Sequence, residues 1–111
     1  MQDWSKEFPV AITICDKDGI ITEMNDKSCS TFASYGGRDL IGKSIYDYHP
    51  PHCNEMIRSM LATGKPHSYT IEKQGKKKLI HQQPYFLDGV IAGVVEMSIE
   101  LPADMPHYVR K

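Results

Sequence analysis

The segment at residues 46–52 reads YDYHPPH, so that His49 and His52 lie on either side of two prolines. Imidazole ligates metals and haem iron, and it also donates and accepts hydrogen bonds near neutral pH. Met56 and Met60 follow His52 at intervals of four residues, which on a helix brings the three side chains to one face. This set predicts either a haem or metal ligand group or a contact surface for a small molecule. The alternative is that His49 bonds only locally and His52 lies at the surface.

The prolines give this segment a rigid conformation. Pro51 suits the first turn of a helix because its missing N–H would have no partner there. Proline also keeps the residue before it out of the helical region, so His49 should be extended at the entry to the helix. We include Tyr48, next to it, among the candidate ligand-binding residues. The segment that follows, HCNEMIRSMLATGK, carries an apolar stripe and ends at Gly64, and it predicts the longest helix of the chain.

A second polar stretch, KLIHQQPY at residues 78–85, lies in a predicted strand. Alternation leaves two choices: either His81 and Gln83 point inward, or Gln82 and Pro84 do. An inward polar pair needs partners, because each unsatisfied group costs about 1–3 kcal/mol, and a polar ligand would supply them. A solvent-facing strand, which Pro84 favours, is the alternative. We select His81 and Gln83 as candidate ligand contacts, together with side chains on the neighbouring predicted strands, Tyr69 and Met97. His67, on the same strand as Tyr69, could extend this wall.

These residues are distributed over a simple order of predicted elements. Two strands form a hairpin through an Asp-Gly turn, short helices follow, then the longest helix, and then three more strands. Asn25 should cap the first of the short helices. Strands thus segregate from helices, which predicts an α+β fold with an antiparallel sheet and helices packed over one face. The predicted strands span 10–15, 20–24, 67–73, 79–87 and 90–101, after a short helix at 2–8.

The chain of 111 residues is long enough for one domain with one core, which we place at about 8–101 with an irregular tail at 102–111. Its net charge of −1 and pI of about 6.5 argue against a nucleic-acid or membrane-surface partner. The N-terminus has no signal-peptide pattern, so we expect a cytoplasmic protein. Its three cysteines are widely spaced and odd in number, which predicts reduced thiols. Nucleophile-elbow, P-loop and dinucleotide-binding motifs are missing, so we expect no enzyme.

Three stretches in this order resemble the PAS domain, a family of sensory modules. ITICDKDGIITEMN at 12–25 looks like the opening hairpin of the family, with its Asp-x-x-Gly turn and its asparagine. LIGKSIYDYHP at 40–50 looks like the segment that leads to the long helix, and DGVIAGVVEMSIEL at 88–101 is similar to the closing strand. The resemblance implies a five-stranded antiparallel sheet curved around a small cavity, often a dimer, and sensing or partner binding rather than catalysis.

One part of the resemblance is more particular. The chain looks like a PAS subgroup in which Leu-Ile-Gly is followed, after a short gap, by Asp-Cys-His-Pro-Pro. Asp47, His49, Pro50 and Pro51 match that pattern, whereas Tyr48 replaces the cysteine. A thiol role at this position therefore does not carry over to this chain, and the resemblance implies haem or small-ligand sensing only loosely.

Together these features predict a sensory domain that binds a small molecule between the sheet and the long helix and signals through a homodimer or a protein partner. The predicted N-terminal helix carries Trp4 and Phe8 on one side, and it either closes its own sheet or packs on a second copy; we favour the dimer. Two alternatives stay open. One is a ligand-free dimerisation or scaffold module, and the other is a haem-based gas or redox sensor that uses His49 or His52.

Overall fold

Five strands form one antiparallel sheet in which the first and last strands of the chain lie side by side. The computed structural model describes residues 1–48 and 51–111. In space the strands are ordered β2-β1-β5-β4-β3. The predicted α+β class and the five antiparallel strands are confirmed. The strands are β1 (Ala11–Asp16), β2 (Ile21–Met24), β3 (His67–Lys73), β4 (Lys76–Leu87) and β5 (Val90–Leu101).

Helices lie on both faces of this sheet. α2 (Asp26–Thr31) and α3 (Pro51–Thr63) cover the inner face, and three single 3₁₀ turns between them span Ala33–Tyr35, Gly37–Leu40 and Ile45–Tyr48. α1 (Asp3–Lys6) is shorter than the predicted helix at 2–8 and lies against the outer face, beside Ile12 and Val95. The helices between the strands pack over one face as predicted, and α1 lies against the outer face of its own sheet, which is one of the two positions considered for the N-terminal helix. No helix of the described residues is both long and apolar enough to cross a membrane.

The β1–β2 hairpin is closed by the predicted Asp-Gly turn. Asp16 Oδ1 accepts hydrogen bonds from the backbone N–H groups of Asp18 and Ile20, at 2.9 and 3.0 Å. Gly19 has a φ of +80°, which favours glycine, and the ring of Tyr46 occupies the space that a Cβ atom would need. The turn and the 3₁₀ segment that carries Tyr46 are therefore packed against each other.

Asn25 joins the N-terminal segment, the sheet and α2 through its side chain, which is fully buried. Its Oδ1 accepts from the backbone N–H groups of Ile12 and Ser28, at 2.9 and 3.0 Å, and the second of these bonds is the predicted helix cap. Its Nδ2 donates to the carbonyl oxygens of Ser5 and Val10, at 3.0 and 2.7 Å. One amide thus satisfies four backbone groups from three segments.

The hydrophobic core lies between the inner face of the sheet and α3. Every member is nearly inaccessible to solvent, and the members are Cys15, Ile21, Met24, Leu40, Ile45, Ile57, Met60 and Val94. Towards β3 the inner face becomes polar, because Gln82 of β4 lies opposite Glu96 of β5. The apolar core therefore ends before the β3 edge, and a cavity is found there.

Candidate functional site

A cavity of about 220 Å³ lies between the first turns of α3 and the β3–β4 edge of the sheet. α3 provides one wall, β3 the second, and β4 the floor. The lining residues are His52, Cys53, Met56, His67, Tyr69 and Gln82. A larger groove of about 460 Å³ lies on the opposite face, between α1 and β1. We take the smaller cavity as the candidate site because a few polar side chains converge in it on a mostly apolar surface, which is typical of ligand pockets.

Gln82 forms the polar floor of the cavity and is only 6% exposed. Its Nε2 donates to Glu96 Oε2 at 2.8 Å, across the β4–β5 pair. Its Oε1 faces Nδ1 of His67 at 3.4 Å, across the β3–β4 pair. The amide therefore connects an acidic residue behind the cavity to a histidine in its wall.

Tyr69 and His67 form the wall that β3 contributes. They lie two residues apart on the same face of the strand, with ring centroids 5.1 Å apart and planes tilted by 39°. Burial raises the pKa of the Tyr69 hydroxyl, and the negative charge of Glu96 and the nearby Cys53 raise it further. The hydroxyl therefore stays protonated at neutral pH and is available as a hydrogen-bond donor.

Three of the residues singled out in the sequence, His52, Met56 and Tyr69, line this cavity together. Met60 does not: it is 2% exposed and belongs to the apolar core, one turn further along α3. Tyr48 lies elsewhere, with its ring 6.4 Å from that of Tyr35, at a separate apolar depression beside Leu40. His49 falls outside the described residues.

The choice of His81 and Gln83 as the inward pair is corrected by the register of β4. Gln82 lies opposite Glu96 on the inner face, so His81 and its partner Met97 are on the outer face, as is Gln83. There His81 Nδ1 bonds Ser68 Oγ at 2.6 Å, and its Nε2 bonds Gln83 Oε1 at 3.2 Å. The three residues therefore do not belong to the cavity.

The cavity also contains residues that the sequence did not single out as sites. Gln82 was one of the two alternatives for the inward face, and His67 was a possible extension of the wall. Cys53 gave no signal beyond its place on the apolar stripe of α3. Pairing of β4 with both β3 and β5 brings Gln82 and His67 together, and no local pattern reveals that pairing.

The lining and the volume of the cavity indicate which kinds of molecule it could hold. Within residues 1–48 and 51–111, no cluster of three or more histidine, cysteine, aspartate or glutamate side chains could hold a metal ion. The cavity volume of about 220 Å³ is below the roughly 300–1,000 Å³ of ordinary ligand pockets. Such a volume fits a molecule of about one aromatic ring.

Sequence comparison gives one family match. The PAS domain family model matches residues 9–96, which is most of the chain. No curated protein is significantly similar to the chain in sequence.

Several solved structures share the fold at low sequence identity. The Aer2 receptor of Vibrio cholerae, described as a dual PAS-haem oxygen sensor, is 16% identical, with a TM-score of 0.66 over 84% of this chain and 95% of that one. The PAS domain of the histidine kinase ThkA is 23% identical, with a TM-score of 0.66 over 81% and 97%. VqmA bound to DPO is 16% identical, with a TM-score of 0.69 over 88% of this chain and 54% of that one. At these identities the similarity shows the fold alone.

Proposed function

Because the chain belongs to the PAS domain family, we propose that this sensory domain holds a small molecule between α3 and the β3–β4 edge and signals its presence. The observation that carries the proposal is the buried amide of Gln82 at the floor of the cavity. Burying a polar group costs free energy unless it is paired, and the Gln82 amide is paired with Glu96 at 2.8 Å, while its Oε1 has only the longer contact of 3.4 Å to His67. A ligand that bonds Gln82 gives this floor a purpose.

A bound molecule would touch two elements that are otherwise weakly connected. α3 presents Cys53 and Met56 to the cavity, while β3 presents Tyr69. A ligand that binds one relative position of helix and strand more tightly than another shifts the population towards it. We propose that this shift of α3 against the sheet is the signal.

The signal would leave the domain through a homodimer or a protein partner at the outer face. Trp4 is 64% exposed and Phe8 43%, and their rings meet edge to face with centroids 5.6 Å apart. Exposed aromatic pairs of this kind are typical of interaction surfaces. Asn25 connects this segment to β1, so a movement of the sheet reaches it directly.

The same exposed pair favours a second candidate function, a ligand-free dimerisation scaffold. Under that function the surface around Trp4 would act alone, and the cavity would hold only water. The two functions differ in a simple way: substitutions in the cavity change the behaviour of a sensor and leave a scaffold unaffected.

The test is to identify what the protein carries. Freshly purified protein is denatured, and the released small molecules are measured by mass spectrometry, after an absorption spectrum has been recorded for haem. We expect a defined compound from wild type and from Gln83→Leu, which alters the outer face, and little or none from Gln82→Leu. Equal release from both variants, a haem spectrum, or no compound from wild type would each contradict the proposal.

A further inference from the structure

Within the described part of the chain, the half-buried carboxylate of Glu96 forms no ion pair. The ion pairs of the described residues use other acidic groups, namely Glu23, Asp26 and Glu100. The side-chain hydrogen bond to Glu96 comes from the neutral amide of Gln82, at 2.8 Å. Because opposite charges attract more strongly away from bulk water, the space near Glu96 favours a positive charge or a strong donor and disfavours an anion.

The carboxylate also fixes which way the Gln82 amide points. An ionised carboxylate only accepts hydrogen bonds, so the amide must offer its NH₂ group to Glu96. Its carbonyl oxygen is then turned to the other side, towards His67. A carbonyl oxygen has two lone pairs, and the long contact of 3.4 Å to His67 Nδ1 uses at most one of them. The floor of the cavity therefore presents a free acceptor.

The walls of the cavity select for shape. The tilted rings of His67 and Tyr69 form one side, and the polarisable thioether of Met56 lies on the other. A flat π-system packs well between aromatic rings and methionine sulfur. The volume of about 220 Å³ limits such a molecule to about one ring with its substituents.

The dipole of α3, in contrast to Glu96, favours an anion. α3 begins at Pro51, so His52 and Cys53 lie at the positive end of the helix dipole, which favours anions. That effect fades within the first turn and acts at the helix wall, whereas Gln82 and Glu96 lie at the floor on the sheet. A ligand that reaches the floor meets the acceptor and the negative charge.

We propose that the cavity takes a small planar molecule that bears N–H donors and is neutral or positively charged, and that it rejects carboxylates. This inference rests on the proposed function and specifies its ligand. The recognising contact is an N–H group of the ligand that donates to Gln82 Oε1, with the charge of Glu96 behind it. A cyclic amine, an amidine or an amino-substituted heterocycle belongs to this class.

Two probes of nearly the same shape test this ligand class. Benzamidine is a planar cation with N–H donors, and benzoate is a planar anion that only accepts. Each is titrated at millimolar concentrations into the ¹⁵N-labelled protein of 111 residues while amide resonances are followed by NMR. We expect benzamidine to shift the resonances of His67, Tyr69 and Gln82 and to bind at least about tenfold more tightly than benzoate.

Two charge variants on β5 distinguish the effect of Glu96 itself from a general effect of negative charge on the strand. Glu96→Gln removes the charge and lets the Gln82 amide turn over, so the preference for benzamidine should fall below about threefold. Glu100→Gln removes an equal charge further along the same strand and should leave the preference for benzamidine unchanged. If Glu96→Gln does not fold, Gln82→Met removes the acceptor and should also abolish the preference.

The outcomes distinguish this inference from the function on which it rests. Benzoate binding as tightly as benzamidine, or more tightly, overturns the ligand class and leaves the cavity as a ligand site. An undiminished preference in Glu96→Gln overturns the role of Glu96. If neither probe shifts the cavity resonances of wild type, the ligand class is overturned, and release of a compound from the purified protein then decides the function separately.

Discussion

Gln82 and Glu96 face each other across β4 and β5, with the amide Nε2 2.8 Å from the carboxylate Oε2. This pair ends the apolar core on the side of β3 and gives the cavity its polar floor. Beyond the part of β4 that pairs with β3, the same face becomes hydrophobic, because Pro84 lies opposite Val94. The inner face of the sheet thus changes from apolar to polar between these two pairs.

Asn25 should be the most important single side chain for stability among the polar residues of the core. Asn25→Ala leaves the buried N–H of Ile12 and the carbonyl of Val10 without their partner and removes the cap of α2. We expect the free energy of unfolding to fall by about 3 kcal/mol, measured by urea unfolding. Ser30→Ala removes an exposed hydroxyl from the same helix and should change it by less than about 0.5 kcal/mol. Similar losses in both variants would contradict the role of Asn25.

The two methionines on one side of α3 should differ in what they do. Met60 is 2% exposed in the core and Met56 is 38% exposed at the cavity. Met60→Ala should lower the free energy of unfolding by about 2–4 kcal/mol because it leaves a void. Met56→Ala should lower it by less than about 1 kcal/mol and weaken ligand binding instead. Equal destabilisation of the two variants, measured by urea unfolding, would show that Met56 is also a core residue.

Gly93 is required because two strands and a ring meet at its Cα atom. A Cβ atom there would overlap the carbonyl oxygen of Cys15 and the ring of Tyr85. Gly93→Ala should therefore unfold the domain or lower its melting temperature by more than about 10 °C. Gly75→Ala is the matched control: its φ is +76° and a Cβ would meet no atom within 4 Å, so only backbone strain of about 1 kcal/mol is expected. A milder effect at Gly93 than at Gly75 would contradict this packing.

The thiol of Cys15 should make the domain less stable in alkali. Burial raises its pKa above the ordinary value of 9.0, and the charges of Asp16 and Glu96 act in the same direction. The unfolded thiol thus ionises first, so unfolding releases a proton above about pH 9 and the free energy of unfolding falls as pH rises further. Comparison with Cys15→Ala by urea unfolding at about pH 8 and about pH 10 isolates this group, because the other titrating groups are common to both proteins. The advantage of wild type should shrink at the higher pH, and a constant advantage would show that Cys15 ionises equally in both states.

Much of the fold could be predicted because its signals are local. The Asp16 to Gly19 turn needs only four residues, Asn25 caps the helix that follows it, and Gly64 adopts a φ of +75° just beyond the end of α3. Each of these depends on backbone conformations that few residue types favour. Such signals are readable without knowledge of the partner elements.

The site was only partly predictable because its signals are not local. In β4 the run from His81 to Pro84 is polar on both faces, so alternation cannot distinguish them. The inward side is decided by the pairing of Gln82 with Glu96, 14 residues further along the chain, and with His67, 15 residues before it. α3 was simpler, because helical spacing alone puts His52 and Met56 on one wall of the cavity, whereas Met60, at the same spacing, lies in the apolar core.

The most direct test of a ligand between α3 and the sheet is the alkylation rate of Cys53, which lines the cavity. The rate with iodoacetamide is measured on protein as purified and on protein that has been unfolded, freed of small molecules and refolded. Cys29 is also a half-buried free thiol but is not part of the cavity wall, so it is an internal control. A bound molecule predicts that Cys53 reacts more slowly in the purified protein, while the rate at Cys29 is unchanged. Equal rates at Cys53 before and after removal of small molecules would contradict a ligand in this cavity.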